Sequence, residues 1–196
     1  MQNRIGSCKR KTKETDIELT INLDGQGKNQ IDTGIPFFDH MLDGFARHGL
    51  FDLNVKVRGD LEVDSHHTIE DTGIVLGQAI RQAVGDKKGI RRFGDCMLPM
   101  DETLMLCALD LSGRPYLKFY MPLTVPKVGD FDTEMVHEFF YAVSYGAEMN
   151  LHLKMLDGEN NHHIIEAAFK AFAKALDKAV QYDDRIQEVL STKGSL

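Results

Sequence analysis

Two short motifs contain the residue types best suited to binding metal ions. They read H-H-T-I-E at residues 66–70 and H-H-I-I-E at residues 162–166. Positions i and i+4 of a helix share a face, so the first histidine and the glutamate of each motif can bind one ion. Adjacent helical residues diverge by about 100°, so the second histidine faces elsewhere. The motifs therefore predict two metal ions, each served by both helices, with ligands His66, His67, Glu70, His162, His163 and Glu166.

A single histidine precedes each motif at nearly the same distance, His40 in the first half of the chain and His137 in the second. Each half thus supplies three imidazoles and one carboxylate. Nitrogen and carboxylate ligands without thiolate favour an octahedral Mn²⁺, Fe²⁺ or Co²⁺ with open positions over structural zinc. His48 and His152 fall outside the pattern, and we expect the first to cap a helix end and the second to be exposed or structural.

Other polar residues are weaker candidates. Asp39, Asp64 and Asp71 flank the histidines and are predicted to orient an imidazole ring. Glu14 precedes the first predicted strand within a basic segment, and its pattern alone indicates an ordinary ion-pairing residue. An anion site is a further possibility, since guanidinium and ammonium groups bind phosphate; its candidates are Arg92, Arg114, Lys170 and Lys193.

The elements that carry these residues follow in a similar order in each half. Alternating polarity predicts a strand at 16–24 and another at 53–57, and helical spacing predicts helices at 36–48 and from residue 66. The second half repeats this order with strands at 104–111, 116–121 and 151–156 and helices from 133 and 162. The strand at 104–111 is apolar on both faces, which is typical of an interior strand. A surface loop is predicted at 122–132 and a solvated basic edge at 9–13.

This order predicts an α+β fold of two duplicated half-domains related by a pseudo-twofold axis. Each half would have a mixed β-sheet with helices on one face. We place the repeats at about 10–95 and 96–185, followed by a short tail at 186–196, within a single domain spanning 1–196.

Composition restricts the class of protein. The chain of 196 residues is 42% hydrophobic and 27% charged, which is typical of a soluble globular protein, and its net charge of −7 argues against a nucleic-acid partner. Neither a membrane-spanning run nor a secretory signal is expected, so the cytoplasm is the predicted compartment. Three scattered cysteines are expected to be reduced; they are Cys8, Cys96 and Cys107.

Several stretches, taken together, resemble the imidazoleglycerol-phosphate dehydratase family of histidine biosynthesis along almost the full chain. They are R-K-T-K-E-T at 10–15, F-D-H-M-L at 38–42, D-S-H-H-T-I-E-D at 64–71, G-I-R-R-F-G at 89–94, S-G-R-P at 112–115, N-H-H-I-I-E-A at 161–167 and S-T-K-G at 191–194. The resemblance implies a hydro-lyase that converts imidazole glycerol phosphate to imidazole acetol phosphate. It also implies two Mn²⁺ ions per active site and a homo-oligomer of 24 subunits with sites shared between subunits.

The resemblance also assigns residue roles. It implies that Glu14 is an acid/base residue. It also implies eight metal ligands, which are His40, His66, His67, Glu70, His137, His162, His163 and Glu166. It implies a phosphate site formed by Arg92, Arg114, Lys170, Ser191 and Lys193. Gly44 departs from the family pattern, in which a larger polar residue is common, and this puts any substrate contact by that side chain in doubt. No fused phosphatase domain is expected.

Two other functions remain open from the residues alone. A two-metal hydrolase would also use histidine and carboxylate ligands, usually around two ions about 3.5–4 Å apart. A non-enzymatic assembly protein stabilised by metal would need no phosphate-binding cations.

Overall fold

The computed structural model describes residues 4–196, which form four helices, two four-stranded sheets and one two-stranded hairpin. The first half contains β1 Ile5–Lys11, β2 Thr15–Asn22, β3 Asn29–Asp32, α1 Pro36–Gly49, β4 Asp52–Gly59 and α2 His66–Val84. The second contains β5 Phe93–Met100, β6 Thr103–Asp110, β7 Tyr116–Tyr120, β8 Lys127–Val128, β9 Phe131–Asp132, α3 Met135–Gly146, β10 Asn150–Asp157 and α4 Asn161–Val180.

The two large sheets have the same topology, which confirms the predicted α+β fold with duplicated halves. Their strand orders are β1-β2-β4-β3 and β5-β6-β10-β7, and in each sheet the last pair is parallel while the others are antiparallel. The hairpin β8-β9 has no counterpart among the described residues of the first half.

Helices connect the two halves. α2 packs on β1 and β2, and α4 packs on β5 and β6, so each long helix covers the sheet of its own repeat. The shorter helices cross over: α1 packs against α4, and α3 packs against α2. Buried aromatic rings fill the contact of α1 and α3 with α4, including the stacked pairs Phe45–Phe172 and Phe139–Phe169. The two repeats therefore share one apolar core.

Two glycines allow the edge strands to approach the long helices closely. A Cβ atom on Gly6 of β1 would overlap the backbone carbonyl of Ala79 in α2, and a Cβ on Gly94 of β5 would overlap that of Ala175 in α4. The same close contact thus occurs in both repeats, because the absence of a side chain lets strand and helix backbones meet.

The structure differs from the sequence predictions in several elements. Strands β1, β3 and β5 were not predicted, and the predicted basic edge at 9–13 overlaps β1. The predicted repeat boundary at 95/96 falls inside β5, so the structural repeats span 5–84 and 93–180. β6 is an interior strand, but its residues alternate between buried and half-buried, because only one face is covered by a helix. The predicted loop at 122–132 contains the short hairpin β8-β9.

Among residues 4–196, every helix is too short or too polar to cross a lipid bilayer.

Candidate metal and substrate site

Three predicted ligands from the two repeats come together between α1 and α4. Nitrogen atoms of His40 and His162 and a carboxylate oxygen of Glu166 all lie within 4.8 Å of one another. The Nε2 atoms of His40 and His162 are 3.6 and 3.1 Å from Oε2 of Glu166. Two imidazoles and one carboxylate at this separation are a donor set that suits a divalent transition metal.

The carboxylate of this group is held in its ionised form. Burial of Glu166 opposes ionisation, but the hydrogen bond and positive charge of Lys170, together with contributions from His40 and His162, outweigh it, so the pKa of Glu166 lies below its ordinary value. The Lys170 Nζ atom is 2.7 Å from Oε1 of Glu166, which leaves Oε2 facing the two histidines. Because metal ligands must be deprotonated, this arrangement prepares Glu166 for a cation.

Local helix starts explain where the paired histidines lie. The side chain of Asn160 accepts hydrogen bonds from the backbone N–H groups of His162 and His163 and so caps α4. Asp64 accepts a 2.8 Å hydrogen bond from the backbone N–H of His66 at the start of α2. Each motif therefore begins its helix, with its side chains at the end of the element.

The counterpart group in the other repeat is less compact. The Nε2 atom of His66 is 3.8 Å from Oε2 of Glu70, as the i, i+4 spacing predicts. His137 lies on α3, the helix that packs against α2, but its Nδ1 atom is 2.9 Å from Oε1 of the adjacent Glu138. Its ring also packs edge-on against Phe119.

The second histidine of each motif contacts carboxylates outside its helix. The Nδ1 atom of His67 is 3.0 Å from Oδ2 of Asp60, and its Nε2 atom is 3.9 Å from Oε1 of Glu14. In the other repeat, Nδ1 of His163 is 2.8 Å from Oε2 of Glu102. The predicted divergence of the paired histidines is therefore present in the structure.

Glu102 accepts hydrogen bonds both from the His163 ring and from the backbone at the start of α4. The bond from His163 and those from backbone N–H groups, that of Asn160 above all, lower the pKa of Glu102 to about 2. Sequence reasoning missed both Asp60 and Glu102. The only signal in the sequence was an acidic residue beside a strand end, a pattern shared by many residues without a function.

The three aspartates that were predicted to orient imidazoles have other partners, so that prediction was wrong. Asp39 accepts hydrogen bonds from the backbone and hydroxyl of Thr33, and Asp64 caps α2. Asp71 is buried, accepts a hydrogen bond from the Thr15 hydroxyl and pairs with Arg10. Neighbours along a helix or loop point to different faces, so closeness in sequence did not place these carboxylates near a ring.

The two histidines outside the repeated pattern, His48 and His152, belong to no candidate metal group among the described residues. His48 was expected to cap a helix end; it lies in the last turn of α1, but its ring makes no capping hydrogen bond within residues 4–196, and burial with nearby positive charge lowers its pKa. His152 is exposed on β10, as predicted. Gly44 lies one turn after His40, and a Cβ there would meet no heavy atom within 4 Å, so α1 has room for a larger side chain at this position.

Four of the five predicted phosphate-binding residues line one cleft of about 680 Å³ between the C-terminal tail and the loop after β6. They are Arg92, Arg114, Ser191 and Lys193. Lys170 is not in this lining, because it pairs with Glu166 on α4. None of the eight predicted metal ligands lines the cleft.

Arg92 is the most firmly held cation of the cleft. Its Nε and Nη2 atoms donate to both carboxylate oxygens of Asp110 at 2.6 and 3.0 Å, and Nη1 donates to the Leu190 carbonyl at 2.7 Å. The tail is thereby attached to β6. Within residues 4–196, the Arg114 side chain donates a single hydrogen bond, at 3.3 Å to the Ser112 carbonyl, which leaves most of its donors for an anion.

Comparison with known proteins identifies the family. The family model described as imidazoleglycerol-phosphate dehydratase matches residues 33–176. The chain belongs to this family. The imidazoleglycerol-phosphate dehydratase of Lachnoclostridium phytofermentans is 66% identical over 194 residues, covering 99% of both chains. That of Acetivibrio thermocellus is 64% identical, covering 95% of this chain and 96% of its own.

Solved structures of the family have the same fold. The dehydratase from Staphylococcus aureus is 42% identical with a TM-score of 0.83, over 91% of this chain and 99% of its own. The enzyme from Pyrococcus furiosus is 38% identical with a TM-score of 0.84, over 96% of this chain and all of its own. Family membership confirms the predicted resemblance and makes the chain a hydro-lyase, a dehydratase of histidine biosynthesis, which decides against the hydrolase and the non-enzymatic assembly protein.

Proposed function

We propose that the chain dehydrates imidazole glycerol phosphate to imidazole acetol phosphate with two divalent metal ions, Mn²⁺ by preference, at each active site. The observation that carries this proposal is the meeting of His40 from the first repeat with His162 and Glu166 from the second, whose ligand atoms all lie within 4.8 Å of one another. Bound metal would act as a Lewis acid and template for the substrate's imidazole ring.

The remaining ligands would complete two sites. His66, Glu70 and His137 would be the counterpart of the compact group, and His67 and His163 contact other carboxylates. This separation supports a ligand set assembled from more than one copy of the chain. A 24-subunit homo-oligomer with shared sites would meet that need, and the cytoplasmic location stays a prediction.

The chain's own groups would bind and deprotonate the substrate. Arg92, Arg114, Ser191 and Lys193 offer donors to a phosphate in the tail cleft, and binding there would fix the ring at a distance from the phosphate. In a single chain this cleft is separate from the histidines, which again favours a site built between copies. Lys170 would bind the phosphate only if its ammonium group gave up part of its contact with Glu166.

Glu14 is the candidate acid/base. Its carboxylate is half exposed at the β1–β2 turn, 3.9 Å from Nε2 of His67, so it can reach a molecule bound beside that ring. Glu14 would accept the carbon-bound proton of the substrate's side chain while the hydroxyl departs, and the proton and hydroxide together make up the water that is eliminated; this would be general base catalysis.

Metal removal tests the proposal. Protein dialysed against a chelator should lose formation of imidazole acetol phosphate, and added Mn²⁺ should restore it, whereas added Ca²⁺ should not, because it prefers oxygen ligands. His162→Ala should weaken Mn²⁺ binding, with His152→Ala as the matched control of an exposed histidine outside the group. Full activity in metal-free protein would refute metal dependence.

A further inference from the structure

The turns of the two long hairpins place one glutamate at an equivalent position in each repeat. Glu14 immediately precedes the buried Thr15 that opens β2, and Glu102 immediately precedes the buried Thr103 that opens β6. From these threonines onward every second residue of both strands is buried, so the registers match. The two glutamates are therefore structural counterparts.

These counterparts have different contacts. Glu102 accepts a 2.8 Å hydrogen bond from Nδ1 of His163, whereas Glu14 lies 3.9 Å from Nε2, the opposite ring nitrogen, of His67. The Glu102 side chain is 34% exposed and the Glu14 side chain 53%. One glutamate is thus engaged with its histidine, and the other is free to face a bound molecule.

A longer loop explains the difference. Residues 60–65 connect β4 to α2, but only residues 158–160 connect β10 to α4. The longer loop supplies Asp60, whose carboxylate lies 3.0 Å from Nδ1 of His67 and whose backbone N–H donates to the Glu14 carbonyl at 3.1 Å. Asp60 thereby contacts Nδ1 of His67 as Glu102 contacts Nδ1 of His163. Its backbone bond also fixes the turn that carries Glu14.

We propose that Asp60 and Glu102 are positioning residues that orient His67 and His163 for metal binding. Asp60 performs this task in the first repeat so that Glu14 is left for proton transfer. The inference rests on the proposed metal-dependent function.

The chemistry follows from the properties of a carboxylate. An ionised carboxylate only accepts hydrogen bonds, so the Nδ1 atom that faces it carries the proton and Nε2 keeps its lone pair for a cation. Both rings are held in this tautomer by groups outside their helices. Loss of such a partner lowers metal affinity by about 10–100-fold in comparable sites.

Mn²⁺ titration of chelator-treated protein, read from the electron paramagnetic resonance of free Mn²⁺, tests the inference. Asp60→Ala and Glu102→Ala should each weaken about one of the two Mn²⁺ equivalents per chain by about 10–100-fold. Asp60→Asn and Glu102→Gln should lose less, because an amide oxygen still accepts the Nδ1 proton. The Gln variant also keeps an acceptor for the Asn160 backbone, which protects the start of α4.

Matched controls lie in the two loops that precede α2 and α4. Glu62→Ala and Glu159→Ala remove the same charge from exposed side chains that form no ion pair or side-chain hydrogen bond within residues 4–196, and both should bind Mn²⁺ as wild type does. At saturating Mn²⁺, the turnover of Asp60→Ala should recover, whereas that of Glu14→Gln should stay low, which separates a positioning residue from a proton-transfer residue.

The outcomes distinguish the two levels of proposal. Wild-type protein that takes up no Mn²⁺ would overturn the metal-dependent function itself. Two equivalents bound by wild type, with unchanged affinity in Asp60→Ala and Glu102→Ala, would overturn only the positioning role. Failure of saturating Mn²⁺ to restore Asp60→Ala would also overturn it, because Asp60 would then act in the reaction directly.

Discussion

Glu14 occupies an unusual position for an acidic residue, since it is close to an imidazole without donating or accepting a hydrogen bond there. A general base with a free carboxylate typically contributes 10²–10⁴-fold to a rate. We therefore expect Glu14→Gln to lower kcat by about 10²–10⁴-fold with little change in Mn²⁺ affinity, measured by steady-state kinetics at saturating Mn²⁺.

Glu18→Gln is the matched control, because its side chain is exposed to a similar extent on the same hairpin and pairs with Lys9. It should retain wild-type kcat. Near-normal kcat in Glu14→Gln would remove this residue from the reaction.

The sequence predicted which candidate ligands share a helix face, and it did not predict the carboxylates that contact them. Helical spacing alone required His162 and Glu166 to share a face, and the structure places them 3.1 Å apart. The partners of His67 and His163 could not be predicted, because Asp60 and Glu102 reach these rings through loop and turn geometry. Spacing along a helix is regular, and the path of a loop is not.

At the level of elements, two glycines should respond to substitution in opposite directions. Gly94→Ala would push β5 away from the Ala175 carbonyl of α4 and should lower stability by about 1–3 kcal/mol. Gly44→Ala adds a methyl group to α1 with no heavy atom within 4 Å and should raise stability by about 0.5–1 kcal/mol. Denaturant unfolding measures the change in the free energy of unfolding for both variants. The same change in Gly94→Ala as in Gly44→Ala would contradict the close strand–helix contact.

An ion pair near the start of β1 should make stability depend on pH. The Arg4 guanidinium donates to Asp24 at 2.6 Å and lowers the pKa of that carboxyl below its ordinary value of 3.8. A lowered pKa in the folded state stabilises the fold above pH 3.8, and this contribution is lost as pH falls through the folded-state pKa. Arg4 also donates to the Val180 carbonyl at the end of α4, so the pair connects the two repeats.

Asp24→Asn should therefore destabilise the protein at pH 7 by about 1 kcal/mol or less, and the difference from wild type should shrink by about pH 3. Denaturant unfolding at both pH values measures it. Asp32→Asn breaks the more exposed pair with Arg58 and should have almost no effect at either pH. If the difference in unfolding free energy between Asp24→Asn and wild type were the same at pH 7 and at about pH 3, the ion pair would not lower the pKa of Asp24 as argued.

Periodicity predicted the elements that carry a strong pattern. All four helices and strands β2, β4, β6, β7 and β10 were predicted, since their apolar residues recur at regular spacing. The edge strand β1 was missed because its sequence is basic and its apolar face is occupied by Gly6. In β5, Gly94 occupies the corresponding position against α4.

For the whole molecule, the separation of the tail cleft from the histidine groups bears on assembly. If active sites form between copies and metal ions join ligands from different copies, removal of metal should reduce the size of the assembly. We expect Mn²⁺-loaded protein to have about 24 times the 22.1 kDa chain mass and chelated protein to form smaller species. Light scattering after size exclusion measures both, and His152→Ala should behave as wild type.

A monomer that is fully active with Mn²⁺ would contradict this prediction.

The sequence revealed the duplication through the spacing of its histidines, but it did not reveal how the repeats dock. An amphipathic pattern states which face of a helix is apolar and leaves its partner undetermined.

The crossed packing of α1 on α4 and α3 on α2 has a consequence for how this protein can be divided. A fragment containing residues 5–84 alone would lack the helix against which α1 rests, and it would carry His40 without Glu166. Each half therefore needs the other for its core and for the group of His40, His162 and Glu166. Two fragments produced separately would have to recombine before that proposed metal group could form, so Mn²⁺ uptake there would report their recombination.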